Sequence, residues 1–216
     1  MVCNCDDVDD SWRKRIGNII TKISQTVGII GRARSFMDTP QLILLYNTMV
    51  LPHLQYCLIN WGNFKDDRNL KLRDRILRLQ KCYMRIIYGA HRLSHADPLF
   101  ARANTLKIDD LYQQSIRCFS FKLANNKLPD RMASLVSKIN HSHHTRGSQS
   151  NLALKCTNHH SISYIAPKVW NSLPSLLKQA PSIGSFKMHS KKDLLAPYSA
   201  FKCTVKNCCS CQPFTQ

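Results

Sequence analysis

Four pairs of adjacent aspartates are the first residues in this sequence that could perform catalysis. They are Asp6–Asp7, Asp9–Asp10, Asp66–Asp67 and Asp109–Asp110. Neighbouring carboxylates can bind divalent metal ions that align a nucleophile and stabilise a leaving group. The first two pairs, however, lie in a polar leader, and the other two fall at the starts of predicted helices, where acids interact favourably with the helix dipole. We therefore predict structural roles for all of them and no catalytic residue.

Histidine and cysteine residues form two groups that could bind zinc, because imidazole and thiolate are suitable ligands. One group consists of His141, His143, His144, Cys156, His159 and His160. The other consists of Cys203, Cys208, Cys209 and Cys211. The first spacing matches no compact four-ligand pattern, and the second group lacks a histidine among its cysteines. We predict no metal site, with zinc binding as the alternative.

Basic residues follow one face of a predicted helix from about Asp67 to Tyr88. Its apolar residues recur at spacings of three and four, as in an amphipathic helix. They are Leu72, Ile76, Leu79, Tyr83 and Ile86. One position earlier, about 100° around the helix axis, a parallel row contains Lys71, Arg75, Arg78 and Arg85, and Arg73 and Lys81 widen it. Lysine and arginine on such a face can neutralise phosphates without reading sequence.

A second basic group accompanies the predicted first helix. It contains Arg13, Lys14, Arg15, Arg32 and Arg34. Both groups are candidate contacts to nucleic-acid backbone, and the alternative is that they are ordinary solvated helix faces. Aromatic residues could also stack on bases. Their apolar neighbours instead favour core packing for Trp61, Tyr83, Trp170 and Phe186.

Helices must position these residues, and the sequence indicates where they begin and end. Apolar residues from Ile16 to Ile30 predict the first helix. Asp38, Thr39 and Pro40 predict the start of a second, because a capping side chain precedes a proline in the first turn. The second helix is expected to run toward Trp61 with a kink at Pro52, and Gly89 should close the third.

A fourth helix is predicted from Ile108 to Ala124, and a short one after Pro129. Farther along, prolines are expected to allow only short helices. The fold class is therefore all-α, a small helical bundle with a partly ordered C-terminal extension. The predicted organisation is an acidic leader (1–11), a helical bundle (12–139), a polar His/Ser-rich linker (140–161), a short-helix segment (162–196) and a Cys-containing tail (197–216).

The net charge restricts the partners of the chain. Its 216 residues contain 31 Lys and Arg against 13 acids, all of them Asp, which gives a formal charge of +18. Such a chain attracts nucleic acid, an anionic membrane surface or an acidic protein, and charge alone does not choose among them. The absence of Glu removes one common general acid or base and so weakens any catalytic interpretation.

A membrane span and a secretory origin are both disfavoured. Residues 41–61 approach transmembrane length, but polar residues and a proline interrupt them, so we predict no membrane partner. The N-terminus MVCNCDDVDD has neither the basic nor the apolar region of a signal peptide, so we expect reduced thiols in an intracellular protein. Within apolar helical stretches, Cys57, Cys82 and Cys118 are expected to be buried.

Short blocks in a fixed order resemble one family. The run ITKISQTVGIIGRARSFMDTPQLILLYNTMVLPHLQYCLINWG resembles the segment after the palm in jockey-type non-LTR retrotransposon reverse transcriptases. The blocks LRLQKCYMRIIYG, SHADPLF, LKIDDLY, NKLPD, TRG, APKVWNSLP and SFK then follow in the order found in the C-terminal region of those polyproteins. The resemblance covers about Trp12 to Leu195.

This resemblance implies a role in the grip of a polymerase on nucleic acid. In the family, a palm carries the catalytic carboxylates and a helical thumb contacts the template–primer duplex; the chain resembles the thumb and the region beyond it. The implied partner is the backbone of an RNA–DNA hybrid or duplex, and the implied location is nuclear. No cofactor is expected in this chain, although the parent polymerase would use Mg²⁺. We expect the chain alone to be inactive as a polymerase.

Two other interpretations stay open. The chain could be a stand-alone protein-interaction module with a protein partner, or a remnant of a transposable element with no function. A pull-down that nuclease treatment leaves unchanged would favour the interaction module.

Overall fold

A computed structural model describes residues 5–63, 67–133, 151–153 and 161–199. Its helices are α1 (Cys5–Ala33), α2 (Thr39–Met49), α3 (Leu51–Gln55), α4 (Leu58–Trp61), α5 (Asp67–Tyr88), α6 (Asp97–Arg102), α7 (Ile108–Ala124), α8 (Asp130–Ala133), α9 (Ile162–Ser172), α10 (Ser175–Lys178) and α11 (Ile183–Ser199). The described residues form these helices and no strand, which confirms the all-α prediction. The predicted linker at 140–161 and tail at 197–216 lie mostly outside the described residues.

The bounds of α5 and α7 agree with the predictions made for the third and fourth helices. Gly89 follows α5 with a φ of 64°, a left-handed conformation that glycine adopts without the steric cost of a Cβ. The start of α2 is also as predicted, because Asp38 precedes it and its backbone N–H donates to the side chain of Gln41 at 3.0 Å. Local capping chemistry therefore fixes the end of α5 and the start of α2.

The prediction of a single second helix running toward Trp61 is wrong. Val50 separates α2 from α3, and Pro52 stands in the first turn of α3, where its missing N–H removes no helical hydrogen bond. The break therefore precedes the proline instead of lying at it. A second break follows at Cys57, whose φ of 52° is left-handed and whose side chain is exposed instead of buried.

Two further helix predictions need correction. Helix α1 begins at Cys5, so the helix includes most of the acidic leader instead of following it. Helix α11 contains 17 residues in a region where only short helices were expected. No proline lies between Pro181 and Pro197, and Pro197 falls in the last turn of the helix, so the chain between them can form uninterrupted helical hydrogen bonds.

The chain divides into two compact units, residues 1–111 with 195–216 and residues 112–194. In the first unit, isoleucines of α1 pack with aromatic residues of α2 and α5 in a core where Tyr46 and Tyr83 are fully buried. Their ring centroids lie 5.4 Å apart in an edge-to-face arrangement. The Tyr83 hydroxyl donates to the carbonyl of Ile23, so the two long helices are joined by a buried hydrogen bond as well as by apolar contact.

A buried polar residue completes this core. Gln80 of α5 has no exposed surface; its amide nitrogen donates to the Tyr46 hydroxyl at 3.0 Å, and its amide oxygen accepts from the backbone N–H of Ile108 at 2.8 Å. Ile108 is the first residue of α7, whose leading N–H groups have no partner within the helix. Gln80 therefore connects α2, α5 and the start of α7.

In the second unit, Phe121 of α7 stacks on Phe186 of α11 with ring centroids 4.5 Å apart. Trp170 of α9 packs edge-on against Phe121 at 6.3 Å. The Ser120 hydroxyl donates to the carbonyl of Ala166 at 2.9 Å. Phe119 of α7 is only partly buried, and Phe121 lies at the centre of this core.

Candidate nucleic-acid interface

The buried face of α5 sets the position of its basic residues. Ile76, Gln80, Tyr83, Met84 and Ile87 are buried, whereas the predicted anchors Leu72, Leu79 and Ile86 are only partly so. The buried face keeps Ile76 and Tyr83 of the predicted stripe but is rotated around the helix axis toward Gln80 and Met84. Since helical residues lie 100° apart, the opposite face carries Lys71, Arg78 and Arg85, with Arg75 at its edge.

The side chains of Lys71, Arg75 and Arg78 are exposed, and those of Lys81 and Arg85 are partly buried. From Lys71 to Arg85 the row extends roughly 21 Å along the helix axis at 1.5 Å per residue. This is on the order of six phosphates of one strand at 3.4 Å each. A single rigid helix therefore presents the row.

Arg73 does not lie in this row. Its Nε donates to Oδ1 of Asp109 at 2.7 Å, and its Nη2 donates to Oδ2 at 2.6 Å. Hydrogen bonding to Asp109 raises the pKa of the guanidinium above its ordinary value. Arg73 thus links α5 to the first turn of α7 in a two-point contact, on the side of α5 nearer its buried face.

Three further contacts modify the row. Arg85 donates from Nε to the carbonyl of Ser94 at 2.9 Å, which ties the last turn of α5 to the loop after it. Asp74 places a carboxylate beside the row, and its Oδ1 lies 3.0 Å from Nη1 of Arg73. Arg78 also donates from Nε to the backbone carbonyl of Asp74 at 3.3 Å. One acidic group therefore opposes the positive field at the middle of the row.

The second basic group is not brought together as one surface. Lys14 and Arg32 are exposed on the same face of α1 but lie roughly 27 Å apart at 1.5 Å per residue. Arg13 is partly buried, and Arg15 lies over the ring of Tyr56 at 4.5 Å. Arg34 packs beside Gly89, where a Cβ on the glycine would collide with its guanidinium. Arg34 is therefore the member of the group that lies next to the end of α5.

The described aspartate pair at Asp109–Asp110 has the predicted position in the first turn of α7. Asp109 binds Arg73, and Asp110 accepts from the hydroxyl of Tyr198. Burial and this hydrogen bond raise the pKa of Tyr198. Both carboxylates thus take part in helix-to-helix contacts. Asp66 and the side chains of the leader aspartates lie outside the described residues.

The four aromatic residues considered for base stacking are buried, with 4% of Trp61, 3% of Trp170 and no surface of Tyr83 or Phe186 exposed. The prediction of core packing is confirmed for all four. The six residues of the His/Cys group and the cysteines of the tail lie outside the described residues. Among the residues that are described, three or more His, Cys or Asp side chains nowhere come together as metal ligands.

The role of Gln80 was not predicted, because a polar residue on an apolar face gives no local indication of its distant partners.

Cys82 and Cys118 are partly buried free thiols, and burial raises the pKa of the Cys118 thiol. Within the described ranges, no helix is long and apolar enough to span a membrane. Comparisons of the whole chain with protein-family models, curated proteins and solved structures give no match.

Proposed function

We propose that this chain is the thumb and post-thumb region of a non-LTR retrotransposon reverse transcriptase, and that the exposed face of α5 binds nucleic-acid backbone without sequence preference. In this role the chain binds the template–primer duplex and supplies no catalytic carboxylate. The row of Lys71, Arg75, Arg78 and Arg85, opposite the buried face of a 22-residue helix, is the observation that carries the binding proposal.

Electrostatics supports backbone contact over base recognition. Lysine and arginine release counterions when they approach phosphates, and this gain does not depend on sequence. The chain has 31 basic residues and only 13 acidic ones. This excess of positive charge creates a long-range field that attracts a polyanion to the whole chain. Attachment of the row to one helix fixes the spacing of the charges before binding, which lowers the conformational entropy lost in the complex.

The experiment is a fluorescence-anisotropy titration of the full chain with an RNA–DNA hybrid and with a single strand of scrambled sequence, repeated over a series of salt concentrations. We expect binding that favours the hybrid, weakens steeply with salt and is insensitive to base sequence. Absence of binding at low salt would contradict the proposal. Binding that depends on sequence but not on salt would contradict it as well.

A second candidate, a protein-interaction module, is favoured by two exposed apolar side chains. Phe36, in the turn after α1, is 76% exposed, and Leu93, in the loop after α5, is 82% exposed. The contact of Arg34 with Gly89 brings these two helix ends together. Large apolar side chains exposed to solvent can mark a protein contact. If Phe36→Ser and Leu93→Ser together abolish a nuclease-resistant interaction, this second function would be favoured.

A further inference from the structure

A cavity in the first unit lies between α1 and α3, apart from the basic row of α5. Its volume is about 250 Å³, and its lining residues are Arg15, Asn18, Ile19, Lys22, His53 and Tyr56. It is open to solvent, because Arg15, Asn18, Lys22 and Tyr56 are exposed, and it has room for a small polar ligand.

Helical periodicity explains why these residues meet. Arg15, Asn18 and Lys22 are spaced by three and four along α1, so they share one face of that helix. His53 lies in α3, and Tyr56 follows three residues later at its C-terminal end. Two helix faces therefore form opposite walls of the cavity, and each wall supplies at least one group that can bear positive charge.

The end of α3 at Gln55 leaves Tyr56 at the surface. The Nε1 of buried Trp61 donates to the Tyr56 carbonyl at 2.8 Å, which anchors the backbone, while 59% of the Tyr56 residue stays exposed. Arg15 places its guanidinium carbon 4.5 Å from the centre of the Tyr56 ring and 5.6 Å from that of Trp12. Cation–π contact thus holds a positive group beside an accessible aromatic ring.

The side chains that line the cavity are suited to an anion that also contains an aromatic ring. Arg15, Lys22 and His53 can donate to phosphate oxygens, Asn18 adds an amide, and none of the six lining residues is acidic. An exposed tyrosine next to these donors suits a planar ring, because aromatic side chains stack on any base. A nucleotide carries both groups, a phosphate and a planar base.

We propose that this cavity binds a nucleotide, with its phosphate held by Arg15, Lys22 and His53 and its base packed against Tyr56. This site is independent of the α5 row, and its ligand is one unpaired nucleotide instead of a length of duplex. A free mononucleotide and the end of a single strand share this chemistry.

Isothermal titration of the full chain with adenosine monophosphate, adenosine and inorganic phosphate tests the site. We expect the monophosphate to bind in the millimolar range or tighter, and adenosine and phosphate each to bind at least about tenfold more weakly, since each lacks one set of contacts. No binding of the monophosphate at millimolar concentration would overturn the proposal. Equal affinity for phosphate and the monophosphate would also overturn it.

Point variants locate the ligand. Lys22→Gln is expected to weaken binding about tenfold through loss of a charged hydrogen bond, and Tyr56→Leu about fivefold to a hundredfold through loss of stacking. Tyr56→Phe should retain the affinity. The matched control Lys14→Gln removes the same charge from the same helix outside the cavity; an equal loss in this variant would overturn the assignment. Circular dichroism confirms that each variant is folded.

The two sources of the nucleotide are separated by competition. If a 5′-phosphorylated single strand displaces the monophosphate and the same strand without its phosphate does not, the site accepts a strand end. Failure of both strands to displace it indicates a site for free nucleotides, and displacement by both would overturn the assignment of the phosphate to this cavity. A mononucleotide cannot span the α5 row, so failure of duplex binding and failure of this site are distinguishable.

Discussion

The guanidinium of Arg73 contacts both carboxylate oxygens of Asp109, 36 residues away, at 2.7 and 2.6 Å. The contact connects the first half of α5 to the first turn of α7 and orients α5, so that Lys71, Arg75 and Arg78 face solvent. Two neighbouring arginines of one helix, Arg73 and Arg75, thus have different tasks, one in stability and one in binding.

This division predicts opposite effects for two identical substitutions. Arg73→Gln should lower the free energy of unfolding by about 1 kcal/mol, because a partly exposed two-point ion pair is lost, and should leave duplex affinity nearly unchanged. Arg75→Gln should weaken duplex binding and leave stability unchanged. Urea unfolding and anisotropy titration measure the two quantities. Equal effects of both variants on affinity would contradict the division.

Gln80 is predicted to be the most sensitive polar residue of the first unit. Gln80→Leu would leave the Tyr46 hydroxyl and the Ile108 N–H buried without their partner, so we expect a loss of about 2–4 kcal/mol in unfolding free energy. Exposed Gln113 of α7 is the matched control, and Gln113→Leu should change stability by less than about 0.5 kcal/mol. Chemical denaturation measures both stabilities, and equal denaturant midpoints for the two variants would refute the role of Gln80.

The sequence predicted the elements whose signals are local. The ends of α5 and α7 and the cap at Asp38 depend on residues adjacent to them. The buried face of α5 was misplaced because Gln80 is polar, and its burial depends on Tyr46 and Ile108, which are distant in sequence. Arg73 was placed in the basic row for the same reason, since its partner Asp109 is 36 residues away. Cys57 is exposed because its backbone is left-handed, with a φ of 52°. No proline or glycine at this position indicates that conformation in the sequence.

Alkaline pH is expected to destabilise the protein through tyrosines that are buried or half-buried, such as Tyr112. Burial raises the pKa of Tyr112 to about 12, above the ordinary value of about 10 for an unfolded chain. The resulting stability is complete below about pH 10 and is lost as pH rises toward the folded-state value. Urea midpoints measured from about pH 9 to about pH 11 should fall less steeply for Tyr112→Phe than for the wild type. Identical slopes would show that Tyr112 does not contribute.

Asp74 is predicted to limit nucleic-acid affinity. Its carboxylate is 52% exposed beside the basic row, so Asp74→Asn removes a repulsive charge and should strengthen duplex binding about two- to fivefold at low salt, an effect of the size of exposed charge interactions. The gain should shrink as salt screens the charges. Asp130→Asn changes the same charge far along the chain and should have little effect. Weaker binding by Asp74→Asn would argue against contact at this row.

Contact between α5 and phosphates is tested most directly by the salt dependence of duplex binding. A chain with Lys71→Gln, Arg75→Gln and Arg78→Gln is compared with one carrying Lys122→Gln, Lys168→Gln and Lys192→Gln, which loses the same charge from exposed lysines of the second unit. Each lost phosphate contact lowers the slope of log affinity against log salt by about 0.9. We predict a slope reduced by about 2–3 in the α5 variant only. Equal slopes in the two variants would contradict contact between α5 and phosphates.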